Sequence, residues 1–178
     1  MVQPVFCAEV MGLASDELQA LMDRSAVAAG PHLRRTFELP EHALSAAALV
    51  RYWGSGQSIA LATTGADGTP RVAPVDALLH GTDLLVPTAT DAARVRHIRA
   101  RPRIGFTHWV SSSIAVIGHG TATLVTPADS DFAALDATYT GPRARWFLPF
   151  RAAGTGVYVR IRPESLLAWA ADPRAFAE

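Results

Sequence analysis

Apolar and polar positions alternate with two different periods along the chain, and the change falls near Gly56. Before it, apolar residues return every three or four positions. In SDELQALMDRSAVAAG, Ser15 and Asp16 stand where a helix cap is expected, Leu18, Leu21 and Met22 share one helical face, and Gly30-Pro31 closes the segment. After Leu39-Pro40, EHALSAAALVRYWGSG sets Leu44, Ala47, Ala48 and Tyr52 at helical spacing and stops at Gly54 and Gly56. Residues 1–56 are therefore predicted to form a helical extension.

Beyond Gly56, short runs of Ile, Val, Leu and Thr broken by Gly, Asp and Pro predict antiparallel strands. They are expected at about Ser58–Thr64, Thr69–Leu79, Asp83–Pro87, Arg103–Trp109, Ser113–Val125 and Gly156–Arg162, the last ending at Pro163. Turns at Asp67-Gly68 and in HGTD make the first three a meander. A helix interrupts the strands in TATDAARVRHIRARP, with Thr90 or Asp91 as cap, Val95 and Ile98 facing inward and Pro102 as stop. PADSDFAALDATYTG predicts another helix running to Gly141. Six or more antiparallel strands with one inserted helix argue for a mainly β fold, a closed or nearly closed barrel with accessory helices outside it. Residues 57–178 would form that barrel as one unit, with the extension packed on it.

Composition adjusts this picture in a few places. A chain of 178 residues is one domain in size. Hydrophobic residues make up 49% and charged residues 18%, more apolar than a solvated monomer requires, so a homodimer or a flat ligand is expected to cover part of the surface. Sixteen basic residues balance 16 acidic ones, which disfavours nucleic acid as a partner. Every basic residue is Arg, so no lysine Schiff base can form, and anion binding falls to Arg and backbone amides. The lone Cys7 forms no intrachain disulfide, Met1–Gly12 carries no basic leader signature, and no apolar run reaches the roughly 18 residues of a membrane helix. A soluble cytoplasmic protein is the expectation.

The six histidines (His32, His42, His80, His97, His108 and His119) follow no metal-ligand spacing, though His108 and His119 could approach across adjacent strands; no metal site is expected. Ser111–Ser113 lack a nucleophile elbow and belong to a turn. Arg96, Arg99, Arg101 and Arg103 fit the solvated face of the inserted helix. Arg94 differs, because it lies one turn inside the cap, where free N–H groups and the helix dipole favour an anion. The carboxylate of Asp91 would compete for those amides.

The stretch Ile59–Val125 resembles the flavin-binding split barrel of the pyridoxamine 5'-phosphate oxidase-like superfamily. The resemblance rests on an ordered set: Ala62-Thr63, Asp67-Gly68-x-Pro70, Pro74-Val75, Thr88, Arg94, Pro102-Arg103 and Gly120-x-Ala122. At the C-terminus RPESLLAW is similar to the closing Pro-to-Trp motif of the oxidase, followed by Arg174. The resemblance implies a split β-barrel, Greek-key-like, working as a homodimer with cofactor grooves at the interface. It implies that Val72, Ala73, Pro74 and Val75 line the ring of the cofactor, that Pro87 and Thr88 border it, and that Thr88 and Arg94 hold its phosphate. It also places Trp169 against the ring and Arg174 nearby; the plain alternative has Trp169 plugging the barrel end.

Where the oxidase hairpin carries an Arg and a Lys, this chain has Ala73 and Leu78, so the resemblance does not extend to oxidation of pyridoxamine phosphate. The implied cofactor is FMN, with the deazaflavin coenzyme F-420 as alternative and haem less favoured. Trp169 and Arg174 favour FMN; the missing cations suit the monoanionic phosphodiester of F-420, whose tail would need Arg143, Arg145 and Arg151. The implied activity is hydride transfer to or from a small organic substrate, with no catalytic side chain assigned. A non-catalytic flavin, deazaflavin or haem carrier needs the same pocket.

Overall fold

The computed structural model describes residues 5–176, with side chains from Ser15 onward. The readings of Cys7 and of Met1–Gly12 thus fall outside the described side chains. Three helices come first: α1 (Val5–Ala28), α2 (Pro31–Thr36) and α3 (Ala46–Trp53). Strands β1 (Gln57–Thr64), β2 (Pro70–His80) and β3 (Asp83–Ala89) form the expected meander and lead into α4 (Ala93–Ala100). Then follow β4 (Arg103–Val110), β5 (Ile114–Val125), the short helices α5 (Phe132–Asp136) and α6 (Leu148–Ala152), and β6 (Gly156–Ala170).

The six strands close into an antiparallel barrel in the order β1-β2-β3-β6-β5-β4. After the meander, β4 returns beside β1 and β6 enters between β3 and β5, a Greek-key-like path. Alternation produces the core. Ile59 and Leu61 of β1, Ile104 and Phe106 of β4, Ile114 and Val116 of β5, and Val159 and Ile161 of β6 are all buried together. Leu18, Leu21 and Met22 of α1 join the same core, as the helical spacing predicts. Trp53 of α3 is 1% exposed and its indole donates to the Ala77 carbonyl at 2.9 Å.

Several elements differ from the sequence expectation. The first helix begins at Val5 and not at Ser15, because nothing between them breaks a helix apart from Gly12. In α3 the cap is Ser45, which accepts from the Ala48 amide at 3.2 Å; this turns Leu49 and Trp53 inward and leaves Ala47 exposed. The helix predicted up to Gly141 is only α5, and the chain then bends through a 3-10 turn at Pro142–Ala144. Gly141 and Pro142 end it. β6 continues through Pro163 to Ala170, because a bulge between His119 and Gly120 absorbs the missing proline N–H.

A second, smaller cluster lies under the β5–β6 connection, built from Leu78, Leu85, Leu135, Tyr139, Phe147 and Tyr158. Asp136 anchors it, accepting from Arg151 Nε and from the Tyr158 hydroxyl, each at 2.6 Å. Burial, reinforced by the Asp136 carboxylate, pushes the Tyr158 hydroxyl well above the usual tyrosine value.

Candidate functional site: a groove at the seam between β2 and β3

The barrel is not equally knit all round. β2 pairs with β1 from Pro70 to Ala77, yet meets β3 only at Leu78↔Leu85, Leu79↔Leu84 and His80↔Asp83. Beyond Leu85, β3 turns to β6 and pairs with it from Leu84 to Ala89. One edge of β2 is consequently unpaired along residues 70–77. Pro70 and Pro74 both lie in this stretch, where a missing N–H breaks no ladder bond.

A groove opens at that seam. One cavity, about 370 Å³, is formed by Pro74, Val75 and Asp76 of β2, Pro87 of β3 and Arg94 of α4, with Ser58 and Trp146 completing the wall. Arg94 also borders an adjoining space of about 120 Å³ lined by Thr63, Val72, Ala73 and His97. Arg71 and His97 in turn border a third of about 550 Å³ beside Gly65 and Asp67. The first and second share Arg94, and the second and third share Arg71 and His97.

Arg94 is the chemical centre. Its Nη1 donates to Thr88 Oγ1 at 2.8 Å, and Thr88 itself is 1% exposed. Among the described residues no carboxylate lies within ion-pair distance of Arg94, whereas Arg71, Arg103, Arg143, Arg151, Arg160 and Arg162 each have one. Burial holds the Arg94 guanidinium below the usual arginine value. A half-buried cation with one neutral partner is short of negative charge.

The N-terminus of α4 adds to this. Its cap position is Ala92, with no side-chain cap bond, and not Thr90 or Asp91 as the sequence predicts. Asp91 is exposed and contributes its carbonyl to Arg96 Nη1 at 3.0 Å, so the expected competition from its carboxylate does not arise. His97, one turn on, meets Thr63 Oγ1 at 3.0 Å on the groove wall.

Of the sequence-derived site residues, Val72, Ala73, Pro74, Val75, Pro87 and Arg94 gather on this groove, and Thr88 joins them through Arg94. Trp169 and Arg174 lie elsewhere in the protomer. Trp169 sits on β6 opposite Ala115 and Ala43, against Phe37 edge-on at 5.6 Å and parallel to His42 at 6.3 Å. Its indole nitrogen is buried without a hydrogen-bond partner. Arg174 is exposed in the closing turn Pro173–Phe176. Of the proposed tail cations, Arg143 reaches Asp76 at 3.4 Å, Arg145 is exposed, and Arg151 is committed to Asp136.

His108 and His119 do not meet: His108 lies opposite Val116, and His119 opposite Gly105. His108 instead bridges the Tyr52 hydroxyl at 2.7 Å and the Ser58 carbonyl at 2.8 Å. Among the described residues no three His, Cys, Asp or Glu side chains converge as metal ligands. No described helix is long and apolar enough to cross a membrane.

The sequence reading missed Ser58, Asp76, His97 and Trp146 on the groove wall. Asp76 carries a visible signal, a carboxylate inside the apolar strand run PVDALL. Trp146 sits in the aromatic cluster WFLPF, but nothing local ties it to β2.

A closed six-stranded antiparallel barrel in which β2 and β3 pair over only three residues, with a half-buried arginine where they separate, defines a split-barrel protein. The chain belongs to the pyridoxamine 5'-phosphate oxidase family, whose model matches residues 46–169. No curated protein matches it. Among solved structures, it is similar to a conserved hypothetical protein from Mycobacterium tuberculosis, at 22% identity and TM-score 0.59 over 76% of this chain and 91% of that one. It is also similar to general stress protein 26 from Bacillus anthracis, at 15% identity and TM-score 0.56 over 64% and 84%. A third is a FAD-binding protein from Mesorhizobium loti, at 16% identity and TM-score 0.55 over 70% and 94%. These likenesses show the fold.

Proposed function

We propose that this chain is a flavin- or deazaflavin-dependent oxidoreductase that seats its cofactor in the seam groove, with the phosphate at Arg94. The observation that carries the reading is the half-buried guanidinium of Arg94, tied to Thr88 Oγ1 and without a carboxylate, beside the uncapped start of α4. A phosphate supplies the missing charge, and the first amides of α4 add donors for it. The unpaired edge of β2 at Val72–Val75 offers backbone donors and acceptors to the rim of a flat heterocycle, while Pro74, Val75 and Pro87 give it an apolar surface. Membership of the family and the FAD-binding relative from Mesorhizobium loti support a flavin-type ligand.

The bound group supplies a two-electron hydride acceptor and donor. The chain's own part is positional: Thr88 fixes the Arg94 guanidinium, Arg94 fixes the phosphate end, and the edge of β2 fixes the ring end. Trp169 and Arg174, the residues that favour FMN over F-420, do not reach the groove of their own protomer, so both cofactors belong in the test. Titration of purified protein with FMN, FAD and F-420, followed by absorbance and calorimetry, is expected to give saturable binding of one of them at micromolar concentration. Failure of all three removes the reading; binding without reduction by any hydride donor leaves a carrier.

A two-fold dimer is part of the same proposal. Val72 beside the groove is 66% exposed, and Trp109 and Val110 at the end of β4 are 59% and 48% exposed, an apolar surface for a second copy to cover. Light scattering at micromolar concentration is expected to give twice the 18.9 kDa chain mass. A stable monomer would exclude a groove shared between subunits.

A further inference from the structure

The connection between β5 and β6 contributes Trp146 to the cavity that Pro74, Val75, Pro87 and Arg94 line. This indole is 45% exposed, yet its N–H and part of its ring have partners. Its N–H donates to the Tyr139 hydroxyl at 2.9 Å, and its ring packs on Phe147 and Phe150 at centroid distances of 5.5 and 6.1 Å. Tyr139 is 1% exposed, and its hydroxyl lies 2.8 Å from the Arg143 carbonyl and 3.3 Å from Asp76 Oδ2. A buried tyrosine thus sets the angle of a half-exposed tryptophan.

Nothing in the small core needs this arrangement. Phe147 and Tyr158 fill that core with 0% exposure, whereas Trp146 stays at its edge with an open face. A large flat side chain held in one orientation and left uncovered in a cavity has already lost the conformational freedom that ligand binding would otherwise cost it. The other cavity surfaces at Pro74, Val75 and Pro87 are apolar and suit a flat partner.

We propose that Trp146 is a specificity-determining wall of the groove that contacts the ring of the bound cofactor or its planar substrate, and that Tyr139 is the positioning residue that fixes its angle. The proposal rests on the cofactor reading above and deepens it: it makes the groove selective for planar aromatic ligands and assigns that selectivity to the β5–β6 connection.

The probe is whichever of FMN, FAD and F-420 the wild type binds most tightly, since all three emit light and an indole in contact quenches such emission. In the wild type, emission of the bound probe is expected to be strongly quenched. Trp146→Ala should weaken binding about fivefold, in line with loss of one aromatic contact, and should restore emission. Trp146→Phe should recover most of the affinity while the emission stays restored, a split that loss of folding cannot produce. Tyr139→Phe should keep the fold, as judged by the melting temperature, yet lower affinity and reduce quenching together. Equal affinity and equal quenching in wild type and Trp146→Ala would overturn the proposal and leave the cofactor reading standing. Absence of binding by the wild type itself would overturn both.

Discussion

Arg94→Ala is expected to weaken cofactor binding by about 1.5–3 kcal/mol, roughly ten- to a hundredfold, the range of a charge-assisted hydrogen bond to a phosphate. The same change should leave the melting temperature of the ligand-free protein unchanged or raised. That asymmetry follows from its surroundings. Arg94 makes one hydrogen bond, to Thr88 Oγ1, and no ion pair among the described residues, while burial already disfavours its charge. Its removal relieves a desolvated cation in the free protein and deletes an anion partner in the complex. Arg94→Lys should fall between, since an ammonium restores the charge but not the forked geometry. Calorimetric titration at two salt concentrations is the measurement, with thermal melting alongside. Wild-type affinity in Arg94→Ala would move the phosphate to Arg71, which borders the adjoining space, or to Arg143, which pairs with Asp76 of the groove wall.

The largest loss of stability is expected from Gly120→Ala. A Cβ at this position would lie 2.1 Å from the Arg162 carbonyl oxygen and 2.9 Å from Pro163 Cα. Both are backbone atoms of β6, at the bulge that lets the strand pass Pro163. No rotamer change can relieve the clash, so the two strands must part where their pairing is longest. A loss of about 3 kcal/mol or more is expected, read as a lower urea midpoint with a similar slope. Gly30→Ala is the control: nothing lies within 4 Å of a Cβ there, and its φ of −64° suits any residue. A Gly120→Ala protein as stable as Gly30→Ala would mean that β5 and β6 separate freely at the bulge.

The strands were legible because a barrel buries one face of each, and burial on one face writes period-two alternation into β1, β4 and β5. β6 was read only to Pro163, since a proline inside a strand ordinarily ends it, and the bulge that accommodates it depends on Gly120, some forty residues earlier in the chain. The groove residues Val72–Val75, Pro87, Thr88 and Arg94 were readable because one continuous strand-strand-helix stretch carries them. Trp146 was not, because only the folded β5–β6 connection brings it to the wall that Asp76 shares. Spacing to the C-terminus also does not say which side of the sheet a residue faces. Trp169 shows this: it pairs with Ala115 and packs under Phe37 and His42, away from the seam.

The parted seam between β2 and β3 also bears on how the chain fares before it meets its ligand. Residues 70–77 carry one row of unsatisfied backbone groups, interrupted by Pro70 and Pro74. Such a row is a template for another strand, and prolines are a common guard against that pairing. A ligand seated there occupies the template and stabilises the folded state in proportion to the logarithm of its concentration. If the groove seats a cofactor as proposed, a culture short of it is expected to yield protein more prone to self-association along this edge.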